Sequence, residues 1–305
     1  MNTHNMELLR EKAAQNGPLC IGLDTDPSYI PSSLLRKFPS KAEAVFSYNK
    51  AIISRIGDSA CCCKVQIAYY EALGIEGMKA YSKTLKELKD SGIIAISDVK
   101  RGDIAATAGA YARAHFSGDF ESDIITVNPY MGFDTLSPFT EYCAEGKALF
   151  VLLRTSNPGM KDIENLDLTA GGKVLDRVGS ELLRLSGEFK ERFPEAKCSP
   201  VGAVVGCTEE ADALSLREKY PDVFFLIPGY GAQGGAARIA ASLLGKAGGT
   251  VNSSRGILCA WKKDSACLEK EANGTVSIDD IADAAIKAAY EAKADLLGAK
   301  NEVWG

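Results

Sequence analysis

The sequence predicts an α/β protein folded as a (β/α)8 barrel, also called a TIM barrel, and three observations lead to this prediction. Eight short apolar runs recur along the 305 residues. Longer segments with helical periodicity lie between them, most clearly at residues 79–88 and 173–183. No Pro-, Gly- or Ser-rich linker interrupts the alternation, so an eight-unit barrel fits it better than an open doubly wound sheet.

The apolar runs are nearly continuous in hydrophobicity, which is typical of strands buried on both faces of a parallel sheet. They span residues 19–23, 60–65, 93–96, 123–127, 148–153, 200–205, 223–227 and 249–253. A well-capped amphipathic helix is predicted to follow Ser277. We expect one domain over residues 1–305, with a short N-terminal helix and with surface loops inserted near 160–170 and 262–275.

The composition argues against several function classes. Hydrophobic residues make up 46% of the chain, enough for a sizeable core, and the net charge is −5. No Lys/Arg-rich run or basic stripe is present, so neither a nucleic acid nor an anionic membrane is expected as the main partner. Neither a leader-like N-terminus nor an apolar stretch of about 18 residues occurs. We therefore expect a cytoplasmic protein.

Nine cysteines and two histidines bear on disulfide and metal chemistry. No Cys-x-x-Cys pair occurs, and residues 61–63 are three consecutive cysteines in an apolar run, so we expect the cysteines to lie in the core. His4 lies near a terminus expected to fray, and His115 lies inside or at the end of a helix, away from the strand ends. This scarcity argues against a histidine base or a histidine-rich metal site.

The segment from Ser97 to Asp103 carries the strongest functional signal. Side chains alternate between faces in an extended strand, so Asp98 and Lys100 are predicted to project the same way from the end of the third strand. Gly102 allows a tight turn, and Asp103 is placed to cap the next helix. Two carboxylates and an ammonium at a strand-to-helix junction indicate a catalytic site. The structural alternative is a solvated ion pair together with an ordinary helix cap.

Polar or glycine-rich residues lie in or follow the other predicted strands as well. In chain order they are Asp24, Lys64, Ser156, residues 228–235, Arg255 and Gly256. The positions after the seventh and eighth strands are the usual phosphate site of such barrels. We expect an anion site there, with close backbone approach at the glycines, an amide donor from Gln233 and a forked cation from Arg255.

With these elements in place, the chain resembles the orotidine 5′-phosphate decarboxylase family in its longer bacterial form. The signature Asp-x-Lys-x-x-Asp, extended as Asp-x-Lys-Arg-Gly-Asp-Ile with a following Thr, is met by residues 98–104 and Thr107. Further matching pieces occur in the right order along almost the whole chain. They are Gly22-Leu23-Asp24, Lys64, Ser156-Asn157-Pro158-Gly159, residues 228–235 and Ser254-Arg255-Gly256.

The resemblance implies decarboxylation of orotidine 5′-monophosphate to uridine 5′-monophosphate, the final step of de novo pyrimidine nucleotide synthesis, with no metal and no organic cofactor. Loss of carbon dioxide leaves a carbanion at pyrimidine C6, so a preorganised cation is needed there. Lys100 is expected to stabilise the carbanion and then protonate it, with Asp98 near the substrate carboxylate. Lys64 is expected to bridge these charges and the ribose, and Asp24 to accept a hydrogen bond from a ribose hydroxyl.

The resemblance also implies a homodimer with shared active sites. Asp103, with Ile104 and Thr107, is expected to reach into the site of the neighbouring subunit. Ser156 is expected to read the pyrimidine edge. Gln233 and Arg255, with the backbone amide of Gly256, are expected to bind the phosphate, and the glycine-rich loop is expected to close on it. Pro228 and Gly235 are expected to be substrate-binding residues of the same region.

Two alternatives remain open. A magnesium-dependent keto-sugar-phosphate decarboxylase or hexulose-phosphate synthase shares the Asp-x-Lys-x-x-Asp layout, but it stabilises an enediolate with the metal and commonly has a histidine near the site. A non-catalytic nucleotide-binding barrel belongs to another class of function. Such a binder gains little from opposed charges that must be desolvated, so the sequence favours the enzyme.

Overall fold

Eight parallel strands close into a barrel in the computed structural model, which describes residues 3–230 and 236–305. Each strand pairs with the next along the chain, and the last pairs with the first. The strands are β1 (Leu19–Gly22), β2 (Cys62–Gln66), β3 (Ala95–Arg101), β4 (Ile124–Val127), β5 (Ala148–Arg154), β6 (Val201–Val205), β7 (Phe225–Ile227) and β8 (Gly249–Ser253). The predicted (β/α)8 barrel is confirmed, and each apolar run overlaps a strand.

Helices cover the outside of the barrel and join its strands. They are α1 (Asn5–Asn16), α2 (Ser32–Leu35), α3 (Lys41–Ile53), α4 (Ile67–Glu71), α5 (Gly74–Asp90), α6 (Ala105–Phe116), α7 (Ser137–Thr140), α8 (Val174–Arg192), α9 (Glu210–Lys219), α10 (Ala236–Ser242), α11 (Arg255–Leu258), α12 (Ser265–Ala272) and α13 (Ile278–Trp304). The predicted N-terminal helix is α1. The predicted capped helix is α13, where Ser277 and Asp280 form a capping box. Within the described ranges, no helix has both the length and the apolar character needed to cross a membrane.

The core has two layers, because alternate strand residues face opposite sides of the sheet. Cys62 and Phe150 belong to the cluster that also includes Met6 of α1, whereas Cys63 packs in the larger cluster with the outer helices. The three consecutive cysteines are buried, as expected. Cys207 and Cys259 are only partly buried, so the expectation of a core position is wrong for those two.

Two expectations about peripheral segments are also wrong. His4 is fully buried, and its Nδ1 accepts the Glu7 amide at 3.1 Å and so caps α1. Its Nε2 lies 3.1 Å from the Cys198 carbonyl oxygen, which ties the start of α1 to the segment before β6. The region 262–275 is not a loop throughout, since α12 forms there with Asp264 as its N-cap.

Candidate active site

Four charged side chains form a continuous array at the carboxyl ends of the first three strands. The Lys64 ammonium, from β2, lies 2.9 Å from Asp24 Oδ1 and 3.1 Å from Asp98 Oδ2. The Lys100 ammonium, from β3, lies 2.6 Å from Asp98 Oδ1. The order along the array is therefore Asp24, Lys64, Asp98, Lys100, with the signs of charge alternating.

Burial and charge act in opposite directions on the two central groups. Burial alone raises the pKa of Asp98, but Lys64 and Lys100 outweigh it and hold this pKa at about 2. Burial likewise lowers the pKa of Lys64, and Asp24 and Asp98 outweigh it and raise this pKa above its ordinary value. Both groups are consequently ionised at neutral pH, although each is less than 10% exposed.

The two lysines differ in accessibility. The Lys64 side chain is 5% exposed and the Lys100 side chain is 46% exposed. The Lys100 side chain is therefore accessible from solvent, whereas the Lys64 ammonium lies beneath the surface.

The geometry of Asp98 and Lys100 does not come from regular strand alternation. Between Ser97 and Arg101 the pairing of β3 with β4 shifts register, and Lys100 has a left-handed φ of 45°. Thr126 of β4 fills this irregularity, because its Oγ1 accepts the amides of Val99 and Lys100 at 3.0 and 2.9 Å. The predicted proximity of Asp98 and Lys100 is found, but the physical reason is a bulge.

Three polar side chains that the sequence analysis missed hold the carboxylates. Thr126 Oγ1 donates to Asp98 Oδ1 at 2.9 Å, and Gln66 Nε2 donates to Asp98 Oδ2 at 2.9 Å. Ser254 Oγ donates to Asp24 Oδ2 at 2.7 Å. For Gln66 a signal was available, since it lies two residues after Lys64 and shares its face of β2.

A cavity of about 450 Å³ opens beside the array. Among the predicted site residues, its lining includes Asp24, Lys64, Asp98, Pro228, Arg255 and Gly256. The lining also includes residues that the sequence analysis did not select, namely Tyr29, Gln66, Tyr69, Gly229, Tyr230, Asn252 and Ser254. Residues from both ends of the chain thus meet around one space large enough for a small ligand.

A larger cavity, of about 690 Å³, lies between the segments that follow β4 and β5. Its lining contains none of the four array residues and is mostly apolar, with Phe133, Leu152 and Met160 among its members. We place the candidate site in the smaller cavity, because three of the four array residues, Asp24, Lys64 and Asp98, line it. Lys100 is not part of the lining, but its ammonium pairs with Asp98, which is.

Residues 17–268 match the family described as Orotidine 5'-phosphate decarboxylase / HUMPS family. The chain belongs to this family. Relatives named orotidine 5'-phosphate decarboxylase include one from Clostridium botulinum, 52% identical over 260 residues, which covers 85% of this chain and 90% of the relative. Another, from Clostridium kluyveri, is 49% identical over 258 residues and covers 84% of this chain and 88% of the relative.

Solved structures agree with this assignment to the decarboxylase family. A putative orotidine 5'-phosphate decarboxylase from Streptomyces avermitilis has a TM-score of 0.74 at 29% identity, with 97% of this chain and 98% of that chain covered. The orotidine monophosphate (OMP) decarboxylase of Leishmania donovani has a TM-score of 0.66 at 30% identity, with 90% of this chain and 97% of that chain covered. Similarity of the fold and similarity of the sequence therefore point to the same family.

The segment that completes the family signature lies apart from the cavity lining. Asp103 does not cap the following helix, which corrects the sequence-based expectation: α6 begins at Ala105 with Ile104 as its N-cap. The Asp103 carboxylate instead accepts the Ile104 amide at 2.8 Å. Ile104 is 54% exposed and Thr107 is also exposed, so these side chains face away from the protein interior.

The remaining predicted residues lie in different places. Ser156 follows β5 and is exposed. It packs closely against Gly206, since a Cβ added to that glycine would lie 3.0 Å from Ser156 Cβ. Ser156 is not part of the cavity lining. Arg255 begins α11 and is exposed at the cavity. Gln233 and Gly235 lie outside the described residues.

His115 lies closer to a strand end than the sequence analysis expected. The Nε of Arg101, the last residue of β3, donates to His115 Nε2 at 3.3 Å, and the imidazole is 2% exposed. Burial, followed by the Arg101 charge, lowers the pKa of His115 to about 4. His115 is therefore a neutral acceptor that supports β3 from the helix side, and it does not line the cavity.

Proposed function

We propose that this chain decarboxylates orotidine 5′-monophosphate to uridine 5′-monophosphate and carbon dioxide. The observation that carries the proposal is the array Asp24–Lys64–Asp98–Lys100, in which one accessible ammonium is held beside a buried, ionised carboxylate at the wall of a cavity. The decarboxylase names of the relatives support the same activity.

The array supplies the two things that the reaction requires. When the bond between C6 and the carboxylate carbon breaks, its electron pair stays on C6, and a cation fixed nearby lowers the energy of that charge. The Lys100 ammonium is that cation, and it then transfers one proton to C6 and becomes a neutral amine, which water reprotonates. Lys64 keeps its own proton, because its raised pKa makes it a poor acid.

Asp98 has two roles in this proposal. It holds Lys100 in place through the 2.6 Å ion pair, and its negative charge lies near the carboxylate that leaves. Repulsion between these carboxylates raises the energy of the bound substrate and disappears as carbon dioxide departs. Asp24 and Lys64 form hydrogen bonds with the ribose hydroxyls.

The phosphate binds at the ends of the last two strands. The Arg255 guanidinium can donate two parallel hydrogen bonds to a phosphate. The Gly256 amide lies next to Arg255 at the beginning of α11. Pro228 lines the same cavity, and Gln233 and Gly235 complete the group in this proposal. Binding energy from this remote group is used to hold the pyrimidine against the array. Ser156 contacts the pyrimidine edge, and no metal or cofactor takes part.

We further propose that the whole chain acts as one barrel domain within a homodimer whose subunits exchange Asp103, Ile104 and Thr107. The exposure of Ile104, together with that of Tyr130 and Met131, supports an apolar contact surface on this side of the barrel. In the dimer, Asp103 of one subunit adds a carboxylate to the charged array of the other subunit, next to the Lys100 of that array.

An ultraviolet assay of orotidine 5′-monophosphate consumption in the presence of EDTA tests the activity. Lys100→Ala is expected to lower kcat by about 10²- to 10⁴-fold, the usual contribution of a positioned general acid. Lys86→Ala is the matched control, because Lys86 is an exposed lysine that pairs with Asp90 on the same helix, α5. Full activity of Lys100→Ala would contradict the mechanism.

Two further measurements separate the alternatives, namely turnover of a keto-sugar phosphate with and without magnesium, and equilibrium binding of the nucleotide. Turnover of a keto-sugar phosphate that requires magnesium would favour the related sugar-phosphate enzymes, and tight nucleotide binding without turnover would favour a binding protein. For the dimer, mixing inactive Lys100→Ala with inactive Asp103→Ala should restore part of the activity, because mixed dimers contain one site with both residues intact. No recovery on mixing would contradict shared sites.

A further inference from the structure

Thr126 is fully enclosed in β4 and uses every hydrogen-bonding capacity of its hydroxyl on the charged array. Its Oγ1 donates to Asp98 Oδ1 at 2.9 Å, and it accepts the amides of Val99 and Lys100 at 3.0 and 2.9 Å. A hydroxyl has one donor and two acceptor lone pairs, so nothing of this group is left for other contacts. The Thr126 side chain therefore joins the bulge in β3 to the carboxylate that the bulge presents.

We propose that Thr126 is a positioning residue for the decarboxylation: one hydroxyl fixes both the Asp98 carboxylate and the left-handed backbone of Lys100, and so sets the direction in which the Lys100 ammonium points. The proposal rests on the proposed function for its kinetic consequences. Its structural content, the fixing of the bulge, stands on the hydrogen bonds alone.

Thr126 supplies an acceptor for two backbone amides of β3. The β3–β4 ladder shifts register between Ser97 and Arg101, so the regular pairing is interrupted across Val99 and Lys100. A buried amide without an acceptor is unfavourable, and a left-handed φ of 45° at a residue other than glycine is strained. Thr126 Oγ1 accepts both amides, which makes this conformation of Lys100 the stable one.

Thr126 also helps to orient the Asp98 carboxylate. Its Oδ1 accepts from Thr126 and Lys100, and its Oδ2 accepts from Lys64 and Gln66. With two donors on each oxygen, the carboxylate plane is fixed by groups from β2, β3 and β4. Without the Thr126 hydroxyl, Lys100 is the sole described donor to Oδ1. The position of Oδ1 then varies with the flexible lysine side chain, and the carboxylate no longer fixes where the ammonium lies.

Threonine suits this position for a reason beyond its hydroxyl. Its branched Cβ favours the extended backbone and restricts χ1, so the hydroxyl is aimed with little loss of side-chain entropy. Serine has the same hydroxyl without this restriction, and valine has the same shape without the hydroxyl. The pair of substitutions therefore separates hydrogen bonding from packing.

The experiment compares Thr126→Val and Thr126→Ser with a matched control, Thr250→Val. Thr250 is also a fully buried strand threonine, in β8, but its hydroxyl donates to the Pro18 carbonyl and contacts none of the four array residues. Each variant is characterised by kcat and KM for orotidine 5′-monophosphate and by hydrogen exchange of the Val99 and Lys100 amides.

We expect Thr126→Val to lower kcat by about 10- to 100-fold while KM changes less than about threefold, since the interaction lost is with the reacting array and not with the ribose or phosphate. Thr126→Ser should retain most of kcat, and Thr250→Val should match the parent. The two amides should exchange faster in Thr126→Val than in the other proteins. If Thr126→Val does not fold, Thr126→Cys takes its place with the same expectations, because a thiol is a weak donor and acceptor.

Two results would overturn the proposal: kcat of Thr126→Val equal to that of Thr250→Val, or unchanged exchange at Val99 and Lys100. A parent protein with no decarboxylase activity would instead refute the proposed function. In that case the exchange measurement still decides whether Thr126 fixes the bulge.

Discussion

Replacing Arg217 by methionine should destabilise the barrel strongly, although Arg217 forms no ion pair within the described residues. Arg217 lies on α9, is fully buried, and stacks on the Phe225 ring with its guanidinium carbon 3.7 Å from the ring centre. Its nitrogens donate to backbone carbonyls of Leu243 at 2.9 Å, Tyr220 at 3.0 Å, Val223 at 3.0 Å, Gly248 at 3.1 Å and Pro221 at 3.4 Å. This one side chain joins α9 to the segments that lead into β7 and β8.

The expected cost follows from what the substitution leaves behind. Buried ion pairs can often be replaced by apolar groups without loss, because both partners are removed together. Here the acceptors are main-chain carbonyls that remain. The carbonyls of Tyr220, Pro221 and Gly248 also accept a backbone amide, whereas those of Val223 and Leu243 have no other described donor. Two unsatisfied buried carbonyls, partly offset by no longer burying a cation, give a loss of about 3 kcal/mol in the free energy of unfolding.

Urea unfolding, followed by far-ultraviolet circular dichroism at one fixed protein concentration, measures this loss. Arg184→Met is the control, since Arg184 is exposed on α8 and pairs there with Glu181 and Glu188. The control should leave the urea midpoint unchanged. If the Arg217→Met midpoint equalled that of the control, with the same dependence of the unfolding free energy on urea, the prediction would be wrong, because the carbonyls would then find other donors without cost.

Two further predictions follow from the neighbourhood of the site. Lowering the pH from 6.5 to about 4 should destabilise the protein by about 3 kcal/mol through His115, because the unfolded chain binds a proton near 6.5 while burial and the Arg101 charge hold the folded pKa at about 4. Across this range the urea midpoint should depend less steeply on pH in His115→Phe than in the parent protein. The same pH dependence in both proteins would contradict the prediction. Gly22→Ala should lower kcat/KM by about 10-fold or more, because its Cβ overlaps the Ser254 hydroxyl that holds Asp24. Gly187→Ala, which meets nothing within 4 Å, is the control, and equal activity of the two alanine variants would contradict this role of Ser254.

Much of the fold could be predicted from the sequence, because strands that are buried on both faces are continuous runs of apolar residues. Each of the eight runs overlaps a strand, and β8 has the predicted bounds. The convergence of Asp24, Lys64 and Asp98 was also predictable, since consecutive parallel strands bring their carboxyl ends to one rim. Local patterns were less informative where a segment depends on contacts with distant residues. His4 was expected to fray, yet the Cys198 carbonyl fixes it.

Hydrophobicity and chain order are enough to predict which strands form and which charged residues meet at their ends. They do not predict how Asp98 and Lys100 are held, which depends on contacts between strands. Strand alternation predicts their proximity without a bulge, whereas the register shift and the left-handed Lys100 depend on the Thr126 hydroxyl of the next strand. A threonine in an apolar run gives no local sign of this role. Hydrogen bonds between strands depend on register and distance, and these are properties of the closed barrel that no single segment encodes.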